Sequence, residues 1–413
     1  MFGGRSQTGS VTAKIAIATV PLIISAGEAI GVAREFAASI APGVAERDRA
    51  GAVPTRELAA LDASGLLGIT VPAADGGPDL PISVAAEVTR LIAAVDPAIA
   101  QVPQSHFLFA DVLAVHGTQH QRLRVLGDVL AGARLANGLA ERGGQHAQDL
   151  RTRLTDGGTR LTGQKYYCTG ALTAHWLGVS ALDTRDRLVL AFIERDSPGV
   201  HLDENWHVMG QRATVSGGAR FDDVPVDPCL VIPYQQAFDR PQQLGARTQL
   251  LHAAIQVGIA GGALRDATWF VREKARPFFE AARAGWAETA RQDPHTIERL
   301  GQLAARVRAA EALLASAGDV LDGIGRVPAD AAAAARGSIA VAQAKAFGSE
   351  VAVQVASELF SLAGASAADE KYDLSRHWRN ARTHASHDPV SWKYHHIGNY
   401  LLNDTFPPNH GQL

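Results

Sequence analysis

Arg151-Thr152-Arg153-Leu154-Thr155-Asp156-Gly157-Gly158-Thr159-Arg160-Leu161-Thr162-Gly163-Gln164-Lys165-Tyr166-Tyr167 sets two short runs on either side of a turn signal. Neither Arg151 to Thr155 nor Arg160 to Tyr167 is long enough for a helix, and their mixture of apolar and polar residues has the texture of strands. Leu188 to Ile193 and Gly218 to Phe221 continue the pattern, punctuated by Asp196-Ser197-Pro198-Gly199 and Asp222-Asp223-Val224-Pro225. From about Ala136 to Pro233 the chain therefore predicts a β-domain of roughly 100 residues.

Both flanks read differently. From Ala26 to about Ala131 the period is helical: Ile30, Ala33, Ala37 and Ile40 share a face, which Leu58, Leu61 and Leu66 continue. Pro54, Pro72, Gly76-Gly77 and Pro97 divide this region into short and medium helices. Beyond Gln242 the helical period returns, with Leu300, Leu303, Val307, Ala310 and Leu314 at spacings of three and four and Ala-rich stretches to Leu362. Gly258, Gly261 and Gly262 read as helix-packing positions. The expected order is a lead-in over 1–25, a helical domain over 26–135, a β-domain over 136–236 and a helical bundle over 237–413.

With 413 residues, 46% of them hydrophobic, the chain can bury a large core spread over two or three lobes. Its 39 basic and 42 acidic residues leave a formal charge of −3, with no cationic excess for nucleic acid. Cys168 and Cys229 are far apart and form no CxxC, which suits a reducing, cytoplasmic setting. Ile15 to Ile24 is apolar but shorter than the roughly 20 residues a membrane span needs, and it has no cleavage signal, so it reads as a strand-like lead-in. Residues 1–12 read as a loose terminus. GxGxxG, GxxxxGK[ST], GxSxG and HExxH are all missing, which removes the Rossmann, P-loop, α/β-hydrolase and zincin readings. His384, His387, His395 and His396 crowd the C-terminal region but have no partners at structural-zinc spacing, so no metal is expected.

Four motifs occur in an order that resembles the acyl-CoA dehydrogenase superfamily. They are Ser64-Gly65-Leu66-Leu67-Gly68-Ile69-Thr70-Val71-Pro72 with Asp75-Gly76-Gly77; Leu161-Thr162-Gly163-Gln164-Lys165; Met209-Gly210-Gln211-Arg212-Ala213-Thr214 with Phe221-Asp222-Asp223-Val224-Pro225-Val226; and Arg379-Asn380-Ala381-Arg382. A more specific resemblance is to that superfamily's flavin-dependent monooxygenase branch, the dibenzothiophene monooxygenases and SfnB-type sulfur-acquisition oxidoreductases. It is carried by Gln101-Val102-Pro103-Gln104-Ser105-His106-Phe107, by Trp378 to His384, by His387-Asp388-Pro389-Val390 and by Trp392-Lys393-Tyr394.

The resemblance implies an α+β, acyl-CoA dehydrogenase-like fold: an N-terminal helical domain, a central β-barrel-like domain and a C-terminal four-helix bundle. It implies a monooxygenase in sulfur acquisition that takes reduced FMN from a separate reductase, with FAD as the alternative, and oxygenates a small organosulfur compound with O2 through a flavin hydroperoxide. It also implies a homotetramer with flavin sites between subunits, and no membrane partner. By the same resemblance His387 serves peroxide formation or protonation and His384 supports it. Thr169 bonds the flavin N5 region, Asn137, Tyr167 and Trp206 contact the flavin, Arg276 grips its phosphate, and Gln101, Ser105 and His106 face substrate.

From the residues alone, Asn137 could equally be a turn residue, Trp206 a core aromatic and Arg276 a solvated helix end. Two positions depart from dibenzothiophene monooxygenase: Ser366 stands where a second phosphate-gripping arginine is expected, and Gln101 where that enzyme places a histidine. One rival reading is an FAD-dependent acyl-CoA dehydrogenase, whose carboxylate base would fall at Asp388, one methylene shorter than Glu and constrained by Pro389. The other is a non-catalytic flavin-binding protein.

Overall fold

A computed structural model of the chain describes residues 20–146 and 149–411. The loose terminus expected over 1–12 lies outside them. Of the strand-like lead-in only Val20 to Ile24 is described, and it forms no strand.

The first lobe comprises α1 (Ala26–Ile40), α2 (Val44–Ala50), α3 (Thr55–Asp62), α4 (Ile82–Ala93), α5 (Pro97–Gln101), α6 (Gln104–His116), α7 (Gln119–Gln121) and, after a π turn, α8 (Gly127–Leu130). Ser25 starts α1 by accepting the Glu28 N–H, and Ala29, Ala33, Phe36, Ala37 and Ile40 are its buried face. Asp96 caps α5 by accepting the N–H groups of Ala98 and Ile99, with Pro97 at the first helical position.

One eight-stranded sheet follows: β1 (Leu135–Gly138), β2 (Arg153–Thr155), β3 (Arg160–Lys165), β4 (Trp176–Leu182), β5 (Leu188–Glu194), β6 (Val200–Leu202), β7 (Ala219–Pro225) and β8 (Val231–Ile232). The order is β6-β7-β3-β2-β4-β5-β8, with β1 pairing parallel to β4. Strand β4 had no clear signal in the sequence because it is buried on both faces. Trp176 packs with Leu190, Phe192 and Phe109 of α6, whereas Leu177, Val179 and Ala181 pack into the sheet's own core. Asp222 to Pro225, expected as a turn, lies within β7. Leu161 opposes Val224 and Gly163 opposes Phe221, so β7 carries one extra residue, and the bulge is taken up where Asp223 has φ 52°.

The third lobe contains α9 (Leu244–Glu273), α10 (Phe279–Arg283), α11 (Pro294–Ile324), α12 (Ala331–Ala363), α13 (Ser375–Ala385) and α14 (Val390–Asn403). Helix α9 is buried on nearly all sides over most of its length and packs on α4, α11 and α12. A Cβ on Gly258 would come within 2.6 Å of the Arg90 carbonyl oxygen, and one on Gly262 within 2.4 Å of that of Ala94, so both glycines admit the end of α4. Gly261, expected to do the same, faces open space.

Buried polar side chains tie the lobes together. Arg134 is paired with Asp62 at 2.8 Å and donates to the carbonyl oxygens of Thr173 and Gly170. Arg247 grips Asp111 with two hydrogen bonds, and Arg326 reaches the same carboxylate. His106 donates from Nε2 to the Leu67 carbonyl oxygen and accepts the Leu135 N–H at Nδ1, which ties α6 both to the rest of the first lobe and to β1 of the sheet. Burial pushes the His106 imidazole down to about 4, against the pull of the Leu67 carbonyl. Because the folded value lies below the unfolded one, His106 stabilises the fold fully above pH 6.5 and loses that contribution as pH falls toward 4. The loss integrates to roughly 3 kcal/mol. Urea midpoints across this range should fall less steeply for His106→Gln than for the parent chain.

Candidate functional site

Two loops of the sheet form a ledge. Tyr167, with φ 61°, turns the chain out of β3 and leaves its ring 46% exposed, edge-on to Tyr166 and to Trp206. Beside it a string of buried hydroxyls runs inward: Thr169 Oγ1 to Ser216 Oγ at 2.8 Å, Ser216 Oγ to Thr214 Oγ1 at 2.8 Å, and Thr214 Oγ1 to the Gln211 carbonyl oxygen at 2.8 Å. Trp206 Nε1 donates to that same carbonyl at 2.9 Å. Gln211 (φ 55°) and the β-branched Val215 (φ 47°) are left-handed, so this loop stores backbone strain of a kind that concentrates at functional sites. The Gln211 side-chain amide is buried, and neither of its polar atoms has a partner among the described residues.

The loop presses on α13. A Cβ on Gly210 would lie 2.0 Å from the Arg379 carbonyl oxygen, a contact only glycine permits. Asn380 Oδ1 accepts the Gln211 N–H, and Asn380 Nδ2 donates to Asp48 at 3.2 Å. Arg379 pairs with Asp48 at 2.5 Å and Asp373 at 2.8 Å, and donates to the Met209 carbonyl oxygen. Arg379 and Asn380 thus join all three lobes.

One turn and a half further on, a polar cluster fills the seam between α5, α9, α12 and α13. His384 Nε2 lies 2.9 Å from Gln101 Oε1 and 3.1 Å from His252 Nδ1, while its own Nδ1 is buried without a partner among the described residues. The His252 ring lies against that of His387, centroids 4.2 Å apart. His387 Nδ1 is 3.3 Å from Asp388 Oδ1, and the His387 side chain is 42% exposed. Asp388 also binds Lys345, and Lys393 at 2.9 Å; Lys345 donates to Gln249 as well. Burial holds His252 and His384 well below the ordinary imidazole value, hence neutral. Burial pushes Lys345 down to about 8. For Asp388, burial opposes ionisation, but the His387 hydrogen bond and the two lysines outweigh it and hold the carboxyl below its ordinary range.

Of the residues singled out in the sequence, Gln101, His384 and His387 meet in this cluster. Tyr167, Thr169 and Trp206 form the ledge, which Gln211 links to α13. Ser105 is buried a turn beyond Gln101, its hydroxyl without a partner among the described residues. Asn137 is half-buried on β1 opposite Gly178. His106 and Arg276 stand apart from the cluster. His106 has both ring nitrogens taken by main chain and serves as a clamp, so it has no ring nitrogen left for a substrate. Arg276 is exposed on the loop after α9, with no ion pair among the described residues. At 1.5 Å per residue, the end of α9 is roughly 30 Å from His252, which separates Arg276 from the cluster of its own chain. His252, Gln249 and Lys345 were not anticipated. The signal for the first two was present: Gln249, His252 and Gln256 recur at three and four along an otherwise apolar helix.

Comparison with known proteins agrees over almost the full length. Residues 29–133 match the family described as acyl-CoA dehydrogenase, N-terminal domain, and residues 250–392 match acyl-CoA dehydrogenase, C-terminal domain. Dibenzothiophene monooxygenase of Mycolicibacterium goodii is 32% identical over 398 residues, covering 92% of this chain and 95% of that protein. The probable FMNH2-dependent monooxygenase SfnC of Pseudomonas putida is 32% identical over 389 residues, covering 92% and 96%. The crystal structure of FMN-bound TdsC from Paenibacillus sp. A11-2 superposes with a TM-score of 0.88 at 29% identity, covering 93% of this chain and all of that one.

Asn380→Leu removes both the acceptor for the Gln211 N–H and the donor to Asp48. Amide exchange over Gln211 to Ser216 should then speed up by at least tenfold while exchange in α9 is unchanged, since a buried hydrogen bond of this kind is worth about 1–3 kcal/mol.

Proposed function

The chain belongs to the acyl-CoA dehydrogenase family, and on that premise we propose that it is a reduced-FMN-dependent monooxygenase acting on a small organosulfur compound in sulfur acquisition. The observation that carries this reading is the state of Asp388. A dehydrogenase of this fold needs a carboxylate free to abstract a proton, whereas Asp388 is fixed by Lys345, Lys393 and His387 and held ionised. The neighbouring imidazole is what remains for proton transfer: His387 has Nδ1 on Asp388 and no partner for Nε2 among the described residues.

The ledge fits a flavin. Exposed Tyr167 and half-buried Trp206 offer apolar area for a flat ring, and the Thr169–Ser216–Thr214 hydroxyls offer polar contacts for its heteroatom edge. The buried Gln211 amide, without a partner among the described residues, is a further polar group at that edge. Thr169, Tyr167, Trp206 and Asn137 are the residues we assign to holding it. Reduced FMN, when held there, would supply the electrons that activate dioxygen. His387 would hold or deliver a proton at Nε2, with Asp388 keeping the ring oriented through Nδ1. The neutral, buried pair His384 and His252, with buried Ser105 and half-buried Gln101, offers polar groups suited to a small substrate bearing sulfur–oxygen groups.

Arg276 supports an oligomer. It is separated from the cluster of its own chain, so we assign it to the flavin phosphate of another copy, in keeping with a homotetramer. No helix among the described residues is long and apolar enough to cross a membrane. A cytoplasmic enzyme served by a separate flavin reductase is the arrangement we propose, since the sequence carries no nicotinamide-binding fingerprint.

The test supplies reduced FMN through a reductase, isotope-labelled dioxygen and a panel of small thioethers, sulfoxides, sulfones and sulfinates. Label should appear on sulfur or in the cleaved sulfur product, and His387→Ala should lower kcat by about 10²–10⁴-fold. Bleaching of bound FAD by an acyl-CoA thioester, with no label transferred, would overturn the assignment. In fluorescence titrations Thr169→Val should weaken FMN binding by about tenfold, the worth of one hydrogen bond, and Arg276→Ala should weaken it by at least as much.

A further inference from the structure

Asp388 Oδ1 serves two donors. His387 Nδ1 reaches it at 3.3 Å from the same turn, and Lys345 Nζ reaches the same oxygen from α12. Lys345 is buried, with Gln249 Oε1 of α9 as its other acceptor, and Gln249 lies one turn before His252, whose ring packs on His387. Four contacts and one turn of α9, from Gln249 to His252, link these residues: His387 to Asp388, Asp388 to Lys345, Lys345 to Gln249, and His252 back to His387. A lysine this deep in an Ala-rich helix is costly to desolvate, and packing alone would favour an apolar side chain there. Its position on the oxygen that anchors His387 gives it a purpose.

We infer that Lys345 is a positioning residue for His387: by occupying Asp388 Oδ1 it weakens that carboxylate's hold on the His387 proton and keeps the proton available for transfer. The groups that face His387 are Asp388 on its own turn, His384 on α13, His252 on α9, Lys345 on α12 and, through the other carboxylate oxygen, Lys393 on α14. His252 and His384 are neutral, so Lys345 is the positive charge that competes for the same oxygen. Removing it leaves the Asp388 charge to hold the His387 proton more tightly. Restoring a cation with arginine reverses the change. Burial places Lys345 itself near 8, so the competition is strongest in neutral and mildly acidic solution.

This inference rests on the reading of His387 as the proton-bearing group, but its first readout needs no turnover. Deuterium exchange at the imidazole C2–H of His387, followed by peptide mass spectrometry on the full-length, flavin-free chain across about pH 5–9, reports the protonation midpoint of that ring. Lys345→Met should raise the midpoint by about one pH unit, Lys345→Arg should return it close to the parent, and the acidic limb of the kcat profile should move with it. An unchanged midpoint in Lys345→Met, where Asp388→Asn shifts it, would make Lys345 a structural residue only and overturn the inference. Should Lys345→Met fail to fold, Gln249→Met decides instead. It leaves Lys345 with Asp388 as its sole acceptor, so the midpoint should fall, and no change would overturn the inference. A Lys345-dependent midpoint in a chain that oxygenates nothing would reject the functional reading while leaving this one standing.

Discussion

Helix α9 is surrounded by protein, and its polar residues must find partners inside the molecule. Gln249, His252 and Gln256 are all buried along it. A buried polar group left unpaired costs about 1–3 kcal/mol, so each such residue constrains what packs against it. Gln249 holds Lys345 on α12, His252 holds His384 on α13, and Gln256 donates to the Ala381 carbonyl oxygen on the same helix. These three bonds set where α12 and α13 cross α9. They also set where the turn after α13 presents His387.

The sheet is brought to this frame from the other side. Gly210 allows the loop before β7 to touch the α13 backbone, and Asn380 bonds both that loop and Asp48 of the first lobe. The aromatic ledge and the hydroxyl string are therefore referenced to the same helix that carries His384. Strain at Tyr167, Gln211 and Val215 is tolerated because contacts on either side over-determine the loop.

Electrostatics fix the state of the carboxylate on which the proposed function rests. A carboxylate at Asp388 could in principle take a proton, but two ammonium groups and an imidazole lock it in the ionised form and use its oxygens. His387 gains an orienting partner without being buried, whereas His252 and His384, fully enclosed, stay neutral and act as hydrogen-bonding wall.

Much of this was legible in the chain. The Asp156-Gly157-Gly158 turn and its flanking runs marked the sheet, the period of Leu303, Val307, Ala310 and Leu314 marked the core face of α11, and the motifs around Arg379 and His387 pointed to the site. Strand β4 escaped because burial on both faces removes the alternation that identifies a strand. His106 read as a pocket residue, yet the main-chain groups of Leu67 and Leu135 that use up its ring lie 39 and 29 residues away in the chain. His252 and Lys345 lie 132 and 43 residues from their partners His384 and Asp388. Local periodicity, turn chemistry and motif order are properties of neighbouring residues, so the sequence by itself determined the lobes, their order and the family of chemistry. Which buried polar groups meet depends on how helices cross, and the crossing is decided by side-chain packing over the whole core. Only the tertiary structure, for that reason, decided that Lys345 and His387 share one carboxylate oxygen.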